Sequence, residues 1–298
     1  MAYAHIPVLL DEVLAVLNPR PGESYLDATL GGAGHASAVA PKVGPTGSIY
    51  GIDRDPSALT SAAVRLRDAG APFALRHGSF AHAGDYLREM GTERVDMLLA
   101  DLGLSSPQVD EAERGFSYAK DGPLDMRMDP TSGPTAAEWL QAADEPEIAR
   151  VLHDYGEERH ARRIARILVE ERARCPIATT SQLVRLIRLA YPASGHRGVG
   201  HPARRTFQAL RIVVNQELAE LHALLALVKD LLRPGGRAAI ITFHSLEDRM
   251  VKKAFMDPAF ERIVKKPLVP SPAERDQNPR CRSAKLRAVR LVSTTSPV

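Results

Sequence analysis

The chain has 298 residues, room for one large domain or two ordinary ones, and its 44% hydrophobic and 25% charged composition suits a soluble globular protein with a substantial core. No stretch approaches the roughly 18 uninterrupted apolar residues of a membrane span, residues 1–5 carry no charged or apolar leader, and Cys175 and Cys281 lie far apart, so a reducing, cytoplasmic setting is expected. The net charge of +3 hides a segregation: residues 81–148 hold 5 Lys and Arg against 15 Asp and Glu, residues 150–211 hold 13 Arg, no Lys and 5 acids, and residues 249–290 hold 12 basic residues against 4 acids.

Apolar spacing predicts a short amphipathic helix over residues 8–17, stopped by Asn18-Pro19, and Pro21-Gly22-Glu23 turns the chain into an opening strand. That strand, Tyr25-Leu26-Asp27-Ala28, breaks into Thr29-Leu30-Gly31-Gly32-Ala33-Gly34-His35 and then turns helical. A Gly-rich turn between strand and helix exposes backbone N–H groups and admits a ligand closer than a Cβ would allow. It is not a clean G-x-G-x-x-G, so alone it reads as a plain loop about as readily as a ligand site. A second strand over residues 48–53 ends in Asp53, where a carboxylate can accept from two ribose hydroxyls. Asp55, just before Pro56, has the position of a helix N-cap instead.

A helix over residues 57–69, a strand over 73–77 closed by Gly78-Ser79-Phe80, and a helix over 83–90 lead to an apolar strand, 95–100, that delivers Asp101 to its carboxyl end. Four β/α units in succession argue for an open parallel sheet with its site at the strand tips. Residues 102–135 then lose all period, and 136–190 read as several helices, followed by a polar loop over 192–202. A long helix over 207–232, the turn Arg233-Pro234-Gly235-Gly236, a strand over 237–243, a helix over 249–255, a segment near 263–269 and a last strand over 286–292 resume the α/β pattern. The domains expected are therefore a core of residues 1–106 and 206–298 and an inserted helical domain of residues 107–205. Arginine used to the exclusion of lysine over residues 150–211 favours bidentate phosphate contacts, against the plainer reading of solvated helix faces.

The Gly-rich turn, Asp53 and Leu232-Arg233-Pro234-Gly235-Gly236 before a strand resemble a class I, Rossmann-like S-adenosylmethionine-dependent methyltransferase. More closely, the chain is similar from end to end to the bacterial ribosomal RNA small subunit methyltransferase H family. The resemblance rests on His5-Ile6-Pro7-Val8-Leu9-Leu10, on residues 27–35, on Asp101-Leu102-Gly103-Leu104-Ser105-Ser106-Pro107-Gln108 and on Arg114-Gly115-Phe116-Ser117. Further on it rests on residues 122–129, on His201-Pro202-Ala203-Arg204-Arg205-Thr206-Phe207, on residues 243–249 and on Arg282-Ser283-Ala284-Lys285-Leu286-Arg287.

The resemblance implies methylation of the N4 amine of a cytidine in the decoding region of small-subunit ribosomal RNA, as free RNA or assembled subunit, with S-adenosyl-L-methionine as cofactor and no metal. It carries cofactor binding onto Gly32, Ala33, Gly34, His35, Asp53, Phe80, Asp101 and Gln108. Asp101 is also the expected catalytic residue, accepting a hydrogen bond from the amine and later its proton. The Pro-Pro-aromatic that follows this acid in many amino-methyltransferases is replaced by Leu102-Gly103-Leu104. The base-stacking group must come from elsewhere, and Phe116, Phe243 and His244 are the options. Asp125 and Asp129 with Arg127 read as structural or RNA-ordering groups. Arg204, Arg205, Arg249, Arg280, Arg282 and Lys285 are the expected phosphate contacts. A homodimer is left open. The competing readings are a nicotinamide dehydrogenase, which would not explain Gly235-Gly236; a DNA cytosine methyltransferase, which normally has the missing Pro-Pro-aromatic; and a non-catalytic RNA-binding assembly factor.

Overall fold

The computed structural model describes residues 7–191 and 201–292. It divides into two compact units, residues 1–103 with 218–298 and residues 104–217.

The first unit opens with α1 (Leu10–Leu17), ended by Asn18 in the left-handed region at φ 42°. Then come β1 (Ser24–Asp27), α2 (Gly34–Val43), β2 (Ser48–Asp53), α3 (Pro56–Leu66), β3 (Phe73–His77), α4 (Ala83–Glu89) and β4 (Val95–Asp101). Asp55 caps α3 as its place before Pro56 predicts, its side chain accepting from the Ser57 N–H at 3.0 Å. The second unit holds the short α5 (Ser106–Asp110), then α6 (Ala136–Ala142), α7 (Glu145–Asp154), α8 (Ala161–Arg172), α9 (Thr180–Leu189) and α10 (Arg204–Asn215). The chain returns to the first unit through α11 (Glu217–Leu231), β5 (Leu232–Thr242), α12 (Ser245–Ala254), β6 (Phe260–Arg262), α13 (Pro272–Gln277) and β7 (Lys285–Leu291).

Seven strands form one sheet in the order β3-β2-β1-β4-β5-β7-β6. The first five run parallel; β7 is antiparallel to both β5 and β6. Successive side chains of each strand go to opposite faces, so the continuous apolar runs feed two cores at once. Tyr25, Met97, Leu99, Ala239 and Ile241 meet the face covered by α1, α2 and α3. Leu26, Leu98, Ala100, Ala238 and Ile240 meet the face covered by α4, α11 and α12. A parallel sheet covered on both faces needs this composition.

Two expectations are corrected. The helix expected over 207–232 is two helices, broken at Gln216, which adopts φ 52° and caps α10. The first piece, α10, packs on α6 and α7 of the helical unit, so the units divide at residues 103/104 and 217/218 rather than at 106/107 and 205/206. Apolar period cannot reveal that break, because Gln216 is an ordinary helix former whose backbone turns left-handed only where the two pieces join different cores. Secondly, residues 233–236 are not a turn ahead of β5 but an irregularity within it. Val95 pairs with Leu232 and Met97 with Arg237, and the intervening residues bulge. Part of the loop expected over 192–202 lies outside the described residues.

The helical unit has its own apolar core, built from Leu124, Met126, Ile148, Leu152, Ile164, Leu168, Leu183, Ile187, Phe207 and Leu210 among others. Asn215 pins the irregular segment to α10, its amide donating to Met126 O at 2.7 Å and its carbonyl accepting from Met128 N at 2.7 Å. Asp125 and Arg127, read from sequence as structural or RNA-ordering groups, form a bidentate pair with both contacts at 2.8 Å.

Candidate active site

β1 ends in the buried Asp27, and the chain is then held by strand-tip contacts on both sides. The Ala28 N–H donates to Leu99 O at 2.9 Å and the Leu30 N–H to Ile52 O at 2.9 Å, so β2 and β4 grip the start of the glycine turn. The turn itself needs its small residues. Gly31 sits at φ 50° and Ala33 at φ 58°, while a Cβ on Gly34 would lie 2.6 Å from Pro7 Cγ. Gly32 is the opposite case: it is exposed, with nothing within 4 Å of where a Cβ would stand. That open backbone leads into the first turn of α2, whose leading N–H groups have no intrahelical acceptor.

Asp53, at the tip of β2, is tied to this turn. Its Oδ2 accepts from the Gly31 N–H at 2.6 Å and its Oδ1 from the Asp55 N–H at 2.8 Å. Burial raises its pKa, and those N–H groups partly oppose the rise. Each carboxylate oxygen keeps a further acceptor position, which is what a pair of ribose hydroxyls would use. At the next tip, the Gly78 N–H donates to Asp53 O at 2.8 Å, and Phe80 follows in a single 3-10 turn, half-buried.

Asp101, at the tip of β4, differs. Its backbone N–H donates to Thr29 Oγ1 at 2.6 Å, which joins this tip to the glycine turn. Its side-chain Oδ1 is shut off from solvent and has no hydrogen-bond partner. Burial pushes its pKa up to about 7; the Gly103 N–H opposes this and the Glu247 carboxylate adds to it. Glu247 is itself buried and caps α12, accepting from the Phe243 N–H at 2.8 Å and the His244 N–H at 3.2 Å. The Phe243 ring stands so close to Gly103 that a Cβ there would lie 2.7 Å from Cε2.

Not every residue singled out from sequence offers its side chain here. The His35 imidazole is buried against Val8, Nε2 lying 3.0 Å from its carbonyl oxygen; a carbonyl only accepts, so Nε2 carries the proton. Burial lowers its pKa and keeps the ring neutral at pH 7, leaving its backbone N–H as the group that faces the turn. Gln108 lies in the helical unit, buried, with Oε1 accepting from the Ser105 N–H at 3.0 Å in a capping box. Phe116 is 8% exposed within the helical core, which removes it as a base-stacking group. Lys285, expected on phosphate, pairs with Asp248 at 3.2 Å, beside Arg287 at 2.7 Å.

Three groups here were not singled out from sequence. Asp27 is buried, accepts from the Tyr25 hydroxyl at 3.0 Å and is pushed by burial up to about 6. A carboxylate interrupting an apolar strand was the available signal. Glu247 carried one too, in the spacing His244-x-x-Glu247 of a capping box. Thr29 carried none.

These features fit an adenosyl sulfonium cofactor. Gly32 leaves its backbone open to approach, Asp53 presents anchored acceptors at the same turn, and Asp27, Asp53 and Asp101 put three acidic groups at neighbouring strand tips. The fold and this site define an S-adenosylmethionine-dependent methyltransferase. The model of the MraW methylase family matches residues 2–292, and the chain belongs to that family. It is 48% identical over 312 residues to the ribosomal RNA small subunit methyltransferase H of Heliobacterium modesticaldum, with 98% of this chain and 100% of that protein covered. It is also 48% identical to the proteins of the same name from Symbiobacterium thermophilum, over 97% of each chain, and Methylococcus capsulatus, over 94% of this chain and 98% of the other. Among the described residues no helix is long and apolar enough to cross a membrane.

Proposed function

We propose that this protein methylates small-subunit ribosomal RNA at the N4 amine of a cytidine in the decoding region. The RNA substrate is the one printed in the names of its relatives; the observation that supports an amine as the acceptor is the unpartnered, buried Oδ1 of Asp101.

Gly32, the N–H groups of Ala33, Gly34 and His35, and the Asp53 carboxylate would hold the cofactor, with Phe80 beside the adenine; Gln108, expected in the same role, uses its Oε1 in the cap of α5. Bound there, S-adenosylmethionine supplies a methyl group already activated on sulfonium sulfur. Positioning therefore dominates what the protein must add, a term that can reach roughly 7–11 kcal/mol. The harder task is the nucleophile, because the lone pair of a cytosine amine is delocalised into its ring. Oδ1 of Asp101, lacking any internal donor, accepts one amine N–H and localises that lone pair on nitrogen. As the methyl would pass to nitrogen, its bond to sulfur breaking to leave a neutral thioether, the same oxygen would take the amine proton, for which a pKa of about 7 suits neutral conditions. Glu247 and the Phe243 ring over Gly103 hold the wall behind Asp101.

Nucleoside mass spectrometry of small-subunit RNA tests this reading. A strain lacking the gene should lose one N4-methylated cytidine, restored by the wild-type gene and not by Asp101→Asn. An unchanged nucleoside profile in the deletion strain removes the proposal. Assays on free RNA, on the small subunit and on the whole ribosome would separate the forms of the substrate.

A further inference from the structure

The helical unit carries an aromatic and arginine-rich strip on its surface. Tyr118 stacks on His201 with ring centroids 4.8 Å apart and planes 8° from parallel, and it meets Phe207 edge-to-face at 5.8 Å. Phe207 is buried, 4% exposed, and anchors the stack to the core; Tyr118 remains 38% exposed. The stack continues into arginines. Arg188 Nη2 lies 3.3 Å from His201 Nε2, and Arg163 Nη2 donates to Leu189 O at 3.2 Å, linking the exposed side of α8 to the end of α9. Leu189, between them, is 57% exposed.

Three residues after His201, α10 begins with Arg204 and Arg205, both exposed. Cations in the first turn oppose the helix dipole, and neither arginine forms an ion pair among the described residues. They do not serve the helix. A rigid aromatic stack, an exposed leucine and nearby cations are the elements that hold unpaired nucleotides: bases stack on rings while arginines follow the phosphates. A protein partner would more often require an apolar patch with acids to match the arginines.

We infer that the Tyr118–His201 stack, flanked by Arg163, Arg188 and Arg204, is a platform for single-stranded RNA on the helical unit. The inference rests on the proposed RNA substrate only in its choice of ligand, and it extends that reading by assigning a surface of the helical unit that stacks on an unpaired base.

Fluorescence anisotropy with the full-length protein tests it, using a labelled single-stranded RNA of about twelve nucleotides and a blunt duplex of equal length. Tyr118→Leu should weaken binding of the single strand by about 5–100-fold, the loss expected for one stacked base, and Tyr118→Phe should restore it. Arg204→Ala should lower the salt slope by about 0.7, as one phosphate contact predicts. Calorimetry with S-adenosylmethionine should show unchanged cofactor affinity in all three variants. Should Tyr118→Leu lower the melting temperature, the exposed Arg204→Ala carries the test instead.

Equal binding of the single strand by wild type and Tyr118→Leu overturns the platform, as does a duplex bound as tightly as the single strand, or an Arg204→Ala slope equal to the wild-type slope. The two proposals separate cleanly. If small-subunit RNA is unmodified by this enzyme while Tyr118→Leu still loses the single strand, the methylation reading falls and the platform stands. If methylation is found but the variant binds RNA as wild type does, the platform alone falls.

Discussion

Asp53 and Asp101 end the two strands that flank β1, and the fold treats them in opposite ways. Asp53 gives an acceptor position on each oxygen to backbone N–H groups, at 2.6 Å to Gly31 and 2.8 Å to Asp55. Asp101 leaves Oδ1 buried with no partner at all. Both carboxyls feel desolvation and a neighbouring carboxylate, Asp55 beside Asp53 and Glu247 beside Asp101, but Asp53 has more backbone N–H groups opposing the rise. A tied carboxylate holds a ligand in place; an untied one, raised to about 7, can exchange a proton. Unsatisfied buried groups are uncommon in folded proteins and cost stability, and the free Oδ1 is what the proposed role of Asp101 as proton acceptor would use.

The largest expected effect comes from breaking the untied side. Asp101→Asn keeps the shape and removes the proton acceptor, so methyl transfer should fall by about 10²–10⁴-fold, the usual worth of a positioned base. The same change should stabilise the fold, and its pH dependence fixes the sign. A carboxyl whose folded pKa is raised costs nothing below about pH 3, where both states hold the proton, and its cost grows until pH passes about 7. The melting temperature of Asp101→Asn should therefore exceed that of wild type by a few degrees at about pH 8 and by little below about pH 3. Equal melting temperatures at both pH values would show that Asp101 is not strained by its burial.

Breaking the tied side should do less to the chemistry and more to binding. Asp53→Ala removes the acceptor of Gly31 N–H as well as any contact to a bound ribose. One charged hydrogen bond lost corresponds to about 1.5–3 kcal/mol, or roughly 10–100-fold in cofactor affinity. At saturating cofactor the turnover should stay within several-fold of wild type. Calorimetry showing undiminished affinity would leave Asp53 as a turn-shaping residue and nothing more.

The contrast between the two acids was only half legible in the sequence. Their positions were: strands ending at Asp53 and Asp101 follow from apolar runs that stop at a polar residue, and the observed bounds of β2 and β4 agree. Asp55 as a cap was legible for the same local reason, its place before Pro56. What the side chains do was not legible, since the Gly31–Asp53 contact spans 22 residues and the influence of Glu247 on Asp101 joins elements far apart in the chain. His35 shows the limit well. Its place after the glycines suggested a ligand-facing ring, but the ring turns to Val8, whose position depends on how α1 packs. The break at Gln216 was hidden too, because both halves of the expected helix are apolar on one face and each half serves a different core.

The smallest expected effect sharpens the comparison most. Glu247 lies behind Asp101, and its charge raises the pKa of that group. Glu247→Gln removes the charge while the amide oxygen can still accept from Phe243 N–H, so α12 should keep its cap. Ionising Asp101 then opposes one negative charge fewer, and its pKa should fall below about 7. The acid limb of the pH–rate profile, which rises as Asp101 loses its proton, should move to lower pH by less than about one unit, a shift well within reach of a single partly screened charge. If Glu247 only supported the structure, the substitution would lower the rate at every pH and leave the midpoint where it was. A midpoint that moves upward would reverse the sign of the interaction and assign the raised pKa of Asp101 to burial alone.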